Sequence, residues 1–183
     1  MPEETTHENF MRATESTLRA LSGADDAEVV FDGHAAELSG KTARLPSLPK
    51  SMNAETARFI RGLADTYALR LRYHSPTLYH KMMPADPRAR EVYRVLEEAR
   101  VEAAGTADYP GVAANIAAAL GEDARRQRLH LAARPEDVPL SVAVRFAARA
   151  AITGRDTPPD AAKAAALWEA WLKKHLGDEG FAA

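Results

Sequence analysis

Residues 51–105 carry the pattern that most limits what this chain can become. The stretch SMNAETARFIRGLADTYALRLRYHSPTLYHKMMPADPRAREVYRVLEEARVEAAG reads as two long helices joined by a loop containing proline and histidine. The first helix is expected from Asn53 to about Tyr73. Asn53 is placed to serve as N-cap, and Glu55 lies in the first turn, near the positive end of the macrodipole. Ile60, Leu63, Ala64, Tyr67, Ala68 and Leu71 recur at helical spacing and make a wide apolar face. Arg58, Arg61, Asp65 and Arg72 fall on one polar strip across from it, with Arg61 and Asp65 one turn apart and close enough to pair. The second helix starts after Pro87 and turns Val92, Val95, Leu96, Ala99 and Ala103 toward a core. Glu91, Glu98 and Glu102 line the flank of that stripe, and carboxylates stacked in this way repel unless cations neutralise them. The arginine-rich strip of the first helix is the expected partner, so the pair 53–105 is read as the core of the fold.

The remainder reads as packing around that pair. Thr5 with Glu8 forms a capping box for a helix over 5–22, which carries Phe10, Leu18 and Leu21 and ends at Gly23. The only β signal lies in 28–45, where EVVF, a turn at Asp32-Gly33 and another at Ser39-Gly40 predict a small sheet of two or three hairpin strands. Helices are expected through 111–176. Pro110-Gly111 opens one with Val112, Ile116, Ala119 and Leu120 inward, and Gly121 weakens it before a polar stretch with Arg125, Arg126 and Arg128. Asp137 caps the next, whose stripe is Leu140, Val144, Ala147 and Ala151 and whose end is Gly154. After Thr157-Pro158-Pro159-Asp160 the last helix places Ala164, Leu167, Trp168 and Trp171 inward. The predicted class is mainly α (α+β), a single helical domain over residues 1–183 with a small β-hairpin sheet near its start.

Composition removes several classes of function. A chain of 183 residues is long enough for one ordinary core. Its net charge of −2 favours neither nucleic acid nor an anionic membrane surface as partner. Cysteine is absent, which rules out disulfides and thiolate metal sites. The polar start MPEETTHENF is not a secretory signal, and no apolar run approaches the roughly 20 residues needed to span a bilayer. A soluble, cytoplasmic protein is expected.

Three constellations invite chemical readings. Ser39-Gly40-Lys41-Thr42 imitates the end of a phosphate-binding loop, but Ala35 stands where that loop needs its first glycine, and a strand rather than a helix follows. A β-turn is the better account. His74, His80 and Glu98 or Glu102 are residue types that bind zinc, and a metallohydrolase-like site built from them is one alternative; hydrogen-bonding histidines are the plainer one. Arg61, Asp65, Glu98, Arg100 and Glu102 form either an acid–base cluster or a set of interhelical salt bridges, and the salt bridges are preferred. Arg58, Arg61, Asp65, His74, His80, Glu98, Arg100 and Glu102 are therefore candidates for a structural network or for partner contacts. No residue is assigned as catalytic, cofactor-binding or metal-binding. The tryptophan pair is expected to close a core, with a partner anchor as the alternative.

The runs RGLADTYALRLRYH, LYHKMMP, REVYRVLEEARVEAAG and GVAANI, in this order, resemble the amino-terminal region of the CobT subunit of aerobic, ATP-dependent cobaltochelatase. RLPSLPK before them and TPPDAAKAAALWEAWL after them extend the resemblance over residues 28–176. It implies a subunit acting with an AAA+ ATPase subunit and a large porphyrin-binding subunit. Using ATP and Mg, such a complex inserts cobalt into hydrogenobyrinic acid a,c-diamide in aerobic cobalamin biosynthesis, a ligase reaction that forms metal–nitrogen bonds. The family's metal site, DxSxS in a carboxy-terminal von Willebrand A domain, has no counterpart in this sequence, so no functional residue is carried over. The resemblance implies an amino-terminal fragment, with GDEGFAA where an acidic linker would begin, and a non-catalytic assembly role, with no cofactor of its own. Self-association remains open. The RVEA helix also occurs in other proteins that pair a von Willebrand A domain with an AAA+ motor, so an adaptor of another such pair is a further alternative.

Overall fold

The computed structural model describes residues 2–176, with side chains from residue 6 onward. The Thr5–Glu8 capping box and the GDEGFAA end lie outside the described residues. The chain is mainly helical with one small mixed sheet, as expected. It divides into two compact units, Met1–Tyr73 with Tyr109–Ala119, and His74–Asp108 with Leu120–Ala183.

The first unit begins with α1 (Pro2–Ser22). Thr14, Leu18 and Ser22, spaced four apart, form its buried face, and the Thr14 hydroxyl donates to the Phe10 carbonyl at 2.8 Å. The strands are β1 (Glu28–Gly33), β2 (Glu37–Ser39) and β3 (Thr42–Pro46), in the order β1-β3-β2. β2 and β3 pair antiparallel, and Ser39-Gly40-Lys41-Thr42 forms the turn between them, with Gly40 at φ +57°. One detail differs from the expectation of successive hairpins. Asp32-Gly33 is not a turn but the end of β1, which pairs parallel with β3. The reason is burial: Ala43 and Leu45 of β3 are fully buried, so β3 takes the centre of the sheet and β1 and β2 become its edges.

Helix α2 (Ala54–Tyr73) starts where predicted, because the Asn53 carbonyl oxygen of its side chain accepts from the Thr56 N–H at 2.8 Å. Phe59, Ile60 and Ala64 pack with Leu45 of β3, while Ala68 packs with Leu18, Ala27 and Ala43. The first half of α5 (Pro110–Arg126) completes this unit. A Cβ added at Gly62 would lie 2.1 Å from the Asn115 carbonyl oxygen, so glycine is what lets α2 and α5 come this close.

The second unit holds α3 (Pro76–Lys81), α4 (Pro87–Thr106), the rest of α5, α6 (Leu140–Thr153) and α7 (Pro159–Leu176). The Asp86 carboxylate caps α4 by accepting from the Ala89 N–H at 2.9 Å, and Pro87 follows at the first helical position. Helix α5 continues through Gly121 to Arg126, since Leu120 and Ala124 on either side pack into the core formed by Leu129, Val138, Phe146 and Ala164. Asp137 does not cap α6. Val138 between them is extended, which turns the carboxylate backward to accept from the Ala133 and Arg134 N–H groups, each at 3.0 Å. Gly154 ends α6 at φ +64°, as read from the sequence.

Two further expectations change. The helices of 53–105 are both present; α2 packs chiefly on α1, and α4 on α6. The buried face of α6 includes Ser141, Val144, Arg145, Ala148 and Arg149, whereas Ala151 is exposed. The tryptophans divide their tasks. Trp168 is half-buried and its Nε1–H donates to the Val138 carbonyl at 3.1 Å, while Trp171 is 40% exposed and stacks on His175. Among the described residues, no helix is long and apolar enough to cross a membrane.

Candidate functional site

The seam between α4 and α6 collects the most demanding charges of the second unit. Glu102 lies on the buried face of α4, its side chain 3% exposed. Arg145 Nη2 donates to its Oε2 at 2.8 Å and Arg149 Nε to its Oε1 at 2.7 Å. The two arginines are one turn apart on α6, so both reach the same carboxylate. Arg149 Nη1 also donates to the Asp156 carbonyl at 2.8 Å. Glu98, one turn before Glu102, accepts from Arg94 Nη1 at 2.5 Å and lies 3.6 Å from Arg145 Nε. The cations that neutralise these carboxylates therefore come from α4 itself and from α6, not from the arginine strip of α2 that the sequence suggested. A cleft of about 150 Å³ adjoins the network, lined by Arg94, Glu98, Asp123, Gln127, Ser141 and Arg145 among others. Arg145 Nη1 is buried there without a protein hydrogen-bond partner.

A second group surrounds His74. Its Nδ1 lies 2.8 Å from Glu97 Oε1, and Arg100 donates to both oxygens of Glu97, Nε at 2.7 Å and Nη2 at 2.8 Å. The hydrogen bonds from Arg100, followed by the one from His74, outweigh burial and hold the Glu97 carboxyl below its ordinary value. The ring of Tyr79 meets His74 edge-on at 4.9 Å and stacks on Tyr93 at 4.8 Å, which fixes α3 against α4. His80 is exposed, and its Nδ1 lies 2.7 Å from the Pro76 carbonyl of its own short helix.

Asp65, in the first unit, is handled differently. It is 1% exposed, and its one side-chain partner among the described residues is Asn115, whose Nδ2 donates to Oδ2 at 2.8 Å. Burial pushes its carboxyl above the usual value, opposed by the Asn115 hydrogen bond and by the charge of Arg61. The expected Arg61–Asp65 salt bridge does not form; Arg61 Nη2 instead donates to the Thr17 hydroxyl at 3.1 Å, anchoring α2 to α1. Arg58 is exposed on α2.

The candidate residues thus fall into three separate places. Glu98 and Glu102 share the α4–α6 network, His74 and Arg100 share Glu97, and Arg61 and Asp65 belong to the first unit. His74 and His80 do not converge on Glu98 or Glu102. Among the described residues, no group of three His, Asp or Glu side chains is placed to hold a metal ion. Acid–base work needs a titrating group free to meet a substrate. Here Glu97 and Glu102 each engage cations through both oxygens.

Five charged or amide contributors escaped the sequence reading: Arg94, Glu97, Asn115, Arg145 and Arg149. Arg145 and Arg149 did leave a signal. In LSVAVRFAARAA they stand four apart on an otherwise apolar helix, a placement that requires a buried anion. Glu97 shares a face with Tyr93 and Arg100 at spacings of four and three, but Glu98 beside it offered an equally good pattern.

No solved structure matches this chain. The family model of cobalamin biosynthesis protein CobT matches residues 4–180. Nearly the whole sequence lies within that match, and the chain therefore belongs to the CobT family of cobalamin biosynthesis proteins, the family of a cobaltochelatase subunit.

Proposed function

We propose that this chain is a non-catalytic assembly domain of a cobaltochelatase subunit. It docks the subunit onto an AAA+ ATPase subunit or onto the large chelating subunit. Movement driven by ATP and Mg in the ATPase then reaches the site where cobalt enters hydrogenobyrinic acid a,c-diamide. Such a complex works in the cytoplasm. The observation that carries this reading is the family match over residues 4–180. It is supported by the way the strongest candidate side chains bind one another: Glu102 with Arg145 and Arg149, and His74 with Glu97 and Arg100.

The test is to mix the chain with each purified chelatase subunit and follow complex formation by light scattering. A defined complex with either one is expected. Association with neither overturns the reading and shifts weight to an adaptor of another AAA+ and von Willebrand A pair. Near-stoichiometric bound metal that disappears in a His74→Ala/His80→Ala variant would overturn it in favour of a hydrolase-like site.

A further inference from the structure

The first unit has a sheet edge with a groove beside it. β1 is an edge strand, paired only with β3 among the described residues. The Glu28 N–H donates to the Lys41 carbonyl at 3.1 Å, so alternation along the strand turns the backbone groups of Glu28 and Val30 toward β3. The N–H and C=O groups of Val29 and Phe31 then face the open side. Among the described residues nothing pairs with them. The side chains of Val29 and Phe31 form one wall of a groove of about 340 Å³, and Glu8, Met11, Arg12 and Glu15 of α1 form the other. Met11, 39% exposed, adds apolar surface to that wall. A strand edge beside a helix is the geometry in which an extended peptide adds as one more strand, its alternate side chains entering the groove.

Charge decides what kind of strand fits. Asp32 is paired with Arg44 at 2.7 Å and Glu15 with Arg19 at 2.7 Å. Glu8 and Glu28 have no cationic partner among the described residues, and Arg12 donates to Asn9 at 2.5 Å. A second copy of this chain is a poor occupant. Antiparallel pairing of β1 with itself about Val30 sets Glu28 opposite the other copy's Asp32 at both ends, and like charges across a ladder are destabilising. An incoming strand with Lys or Arg on the Glu28 face and apolar residues on the groove face satisfies both sides.

We infer that the β1 edge binds an extended basic segment of a partner protein by strand addition. Val29 and Phe31 supply the backbone pairing, Met11, Val29 and Phe31 take its apolar side chains, and Glu28 takes its cations. This goes beyond the assembly role and does not depend on which complex the chain joins.

The probe is a fluorescein-labelled peptide of alternating Lys and Val, followed by anisotropy on the full chain. Peptides alternating Lys with Ser, and Glu with Val, serve as comparisons. Only the Lys–Val peptide is expected to bind well. Val29→Pro removes an outward N–H without touching the β3 ladder, and is expected to weaken binding about fivefold to tenfold. Glu28→Lys is a surface change that leaves folding intact if the first variant does not fold; it is expected to weaken binding about threefold at low salt. Equal binding of the Lys–Ser peptide, or unchanged affinity in the folded variants, would overturn the inference. So would a dimer in sedimentation that Val29→Pro abolishes, because a second copy would then be the occupant.

Discussion

Each unit of the chain buries a carboxylate almost completely, and the two are stabilised in opposite ways. Asp65 of the first unit meets a neutral amide, Asn115, while Glu102 of the second meets two guanidiniums, Arg145 and Arg149. Burying a charge is costly, and a hydrogen bond from a neutral donor offsets only part of the loss. Asp65 accordingly has its carboxyl pushed up by burial. The seam around Glu102 pairs its carboxylate with two guanidiniums, leaving only Arg145 Nη1 of these groups without a protein hydrogen-bond partner, and every member then depends on the others. One site tolerates neutralisation, and the other is a network that a single deletion exposes.

The largest expected effect follows from that dependence. Glu102→Ala leaves two guanidiniums on the buried face of α6 without their carboxylate, and should cost about 3–5 kcal/mol of stability. Chemical denaturation against the parent chain measures it. A loss below about 1 kcal/mol would mean that water or Glu98 can replace Glu102, and the contrast with Asp65 would disappear. Next comes Gly62→Ala. Its Cβ would approach the Asn115 carbonyl oxygen to 2.1 Å, a backbone atom that can yield only by moving α5. Helix propensity favours alanine by about 1 kcal/mol, whereas overpacking costs about 1–3 kcal/mol. The prediction is a net loss of up to about 2 kcal/mol, with weakening of the Asn115–Asp65 hydrogen bond, read from the same denaturation curves.

These two positions also mark how far the sequence could be read. Helix spacing located α2 and α4, and the Asn53 cap and Pro87 marked their starts, because both are local signals; the Asp86 cap of α4 was not read. The pairing of helices was not legible. An apolar stripe states which face is buried but not which neighbour buries it, so neither the packing of α2 on α1 nor that of α4 on α6 could be read from spacing. The sheet shows the same limit. The strands of 28–45 were visible, but the parallel β1–β3 pairing depends on Ala43 and Leu45 taking the centre, which is a tertiary fact. At the candidate site, the stacked Glu98 and Glu102 point to a need for cations, yet the two that hold Glu102 lie more than forty residues later, and the one that holds Glu98 is Arg94 of the same helix. Gly62 lies within the expected first helix, and nothing in its sequence neighbourhood points to the Asn115 backbone beside it.

The comparison sharpens with pH. Glu97 titrates below its ordinary 4.5, so it stabilises the fold above that value and loses the contribution as pH falls through its folded value. Asp65 titrates above its ordinary 3.8; it favours folding most when protonated, and its cost develops as pH rises from there through its folded value. Glu97→Gln should therefore be less stable than the parent at neutral pH, with the difference shrinking in acid. Asp65→Asn keeps an acceptor for Asn115 and should gain on the parent as pH rises, with no such gain in acid. Urea midpoints across this range read both slopes. Slopes of the same sign would show that the two carboxylates are not treated differently after all.

The smallest effect tests where the α4–α6 network ends. Arg94 is about half-exposed and holds Glu98 from one turn away on the same helix, an arrangement worth at most about 0.5 kcal/mol. Arg145 approaches the same Glu98 from α6 and is itself buried. If the network is closed by its buried members, Arg94→Ala should change stability by less than about 0.5 kcal/mol, and combining it with Glu102→Ala should be additive. A larger loss, or clear non-additivity in the double variant, would place Arg94 inside the network beside Glu98. Glu102 would then be one member of a charge cluster reaching the surface cleft, and its contrast with the isolated Asp65 would be one of extent as well as of partner.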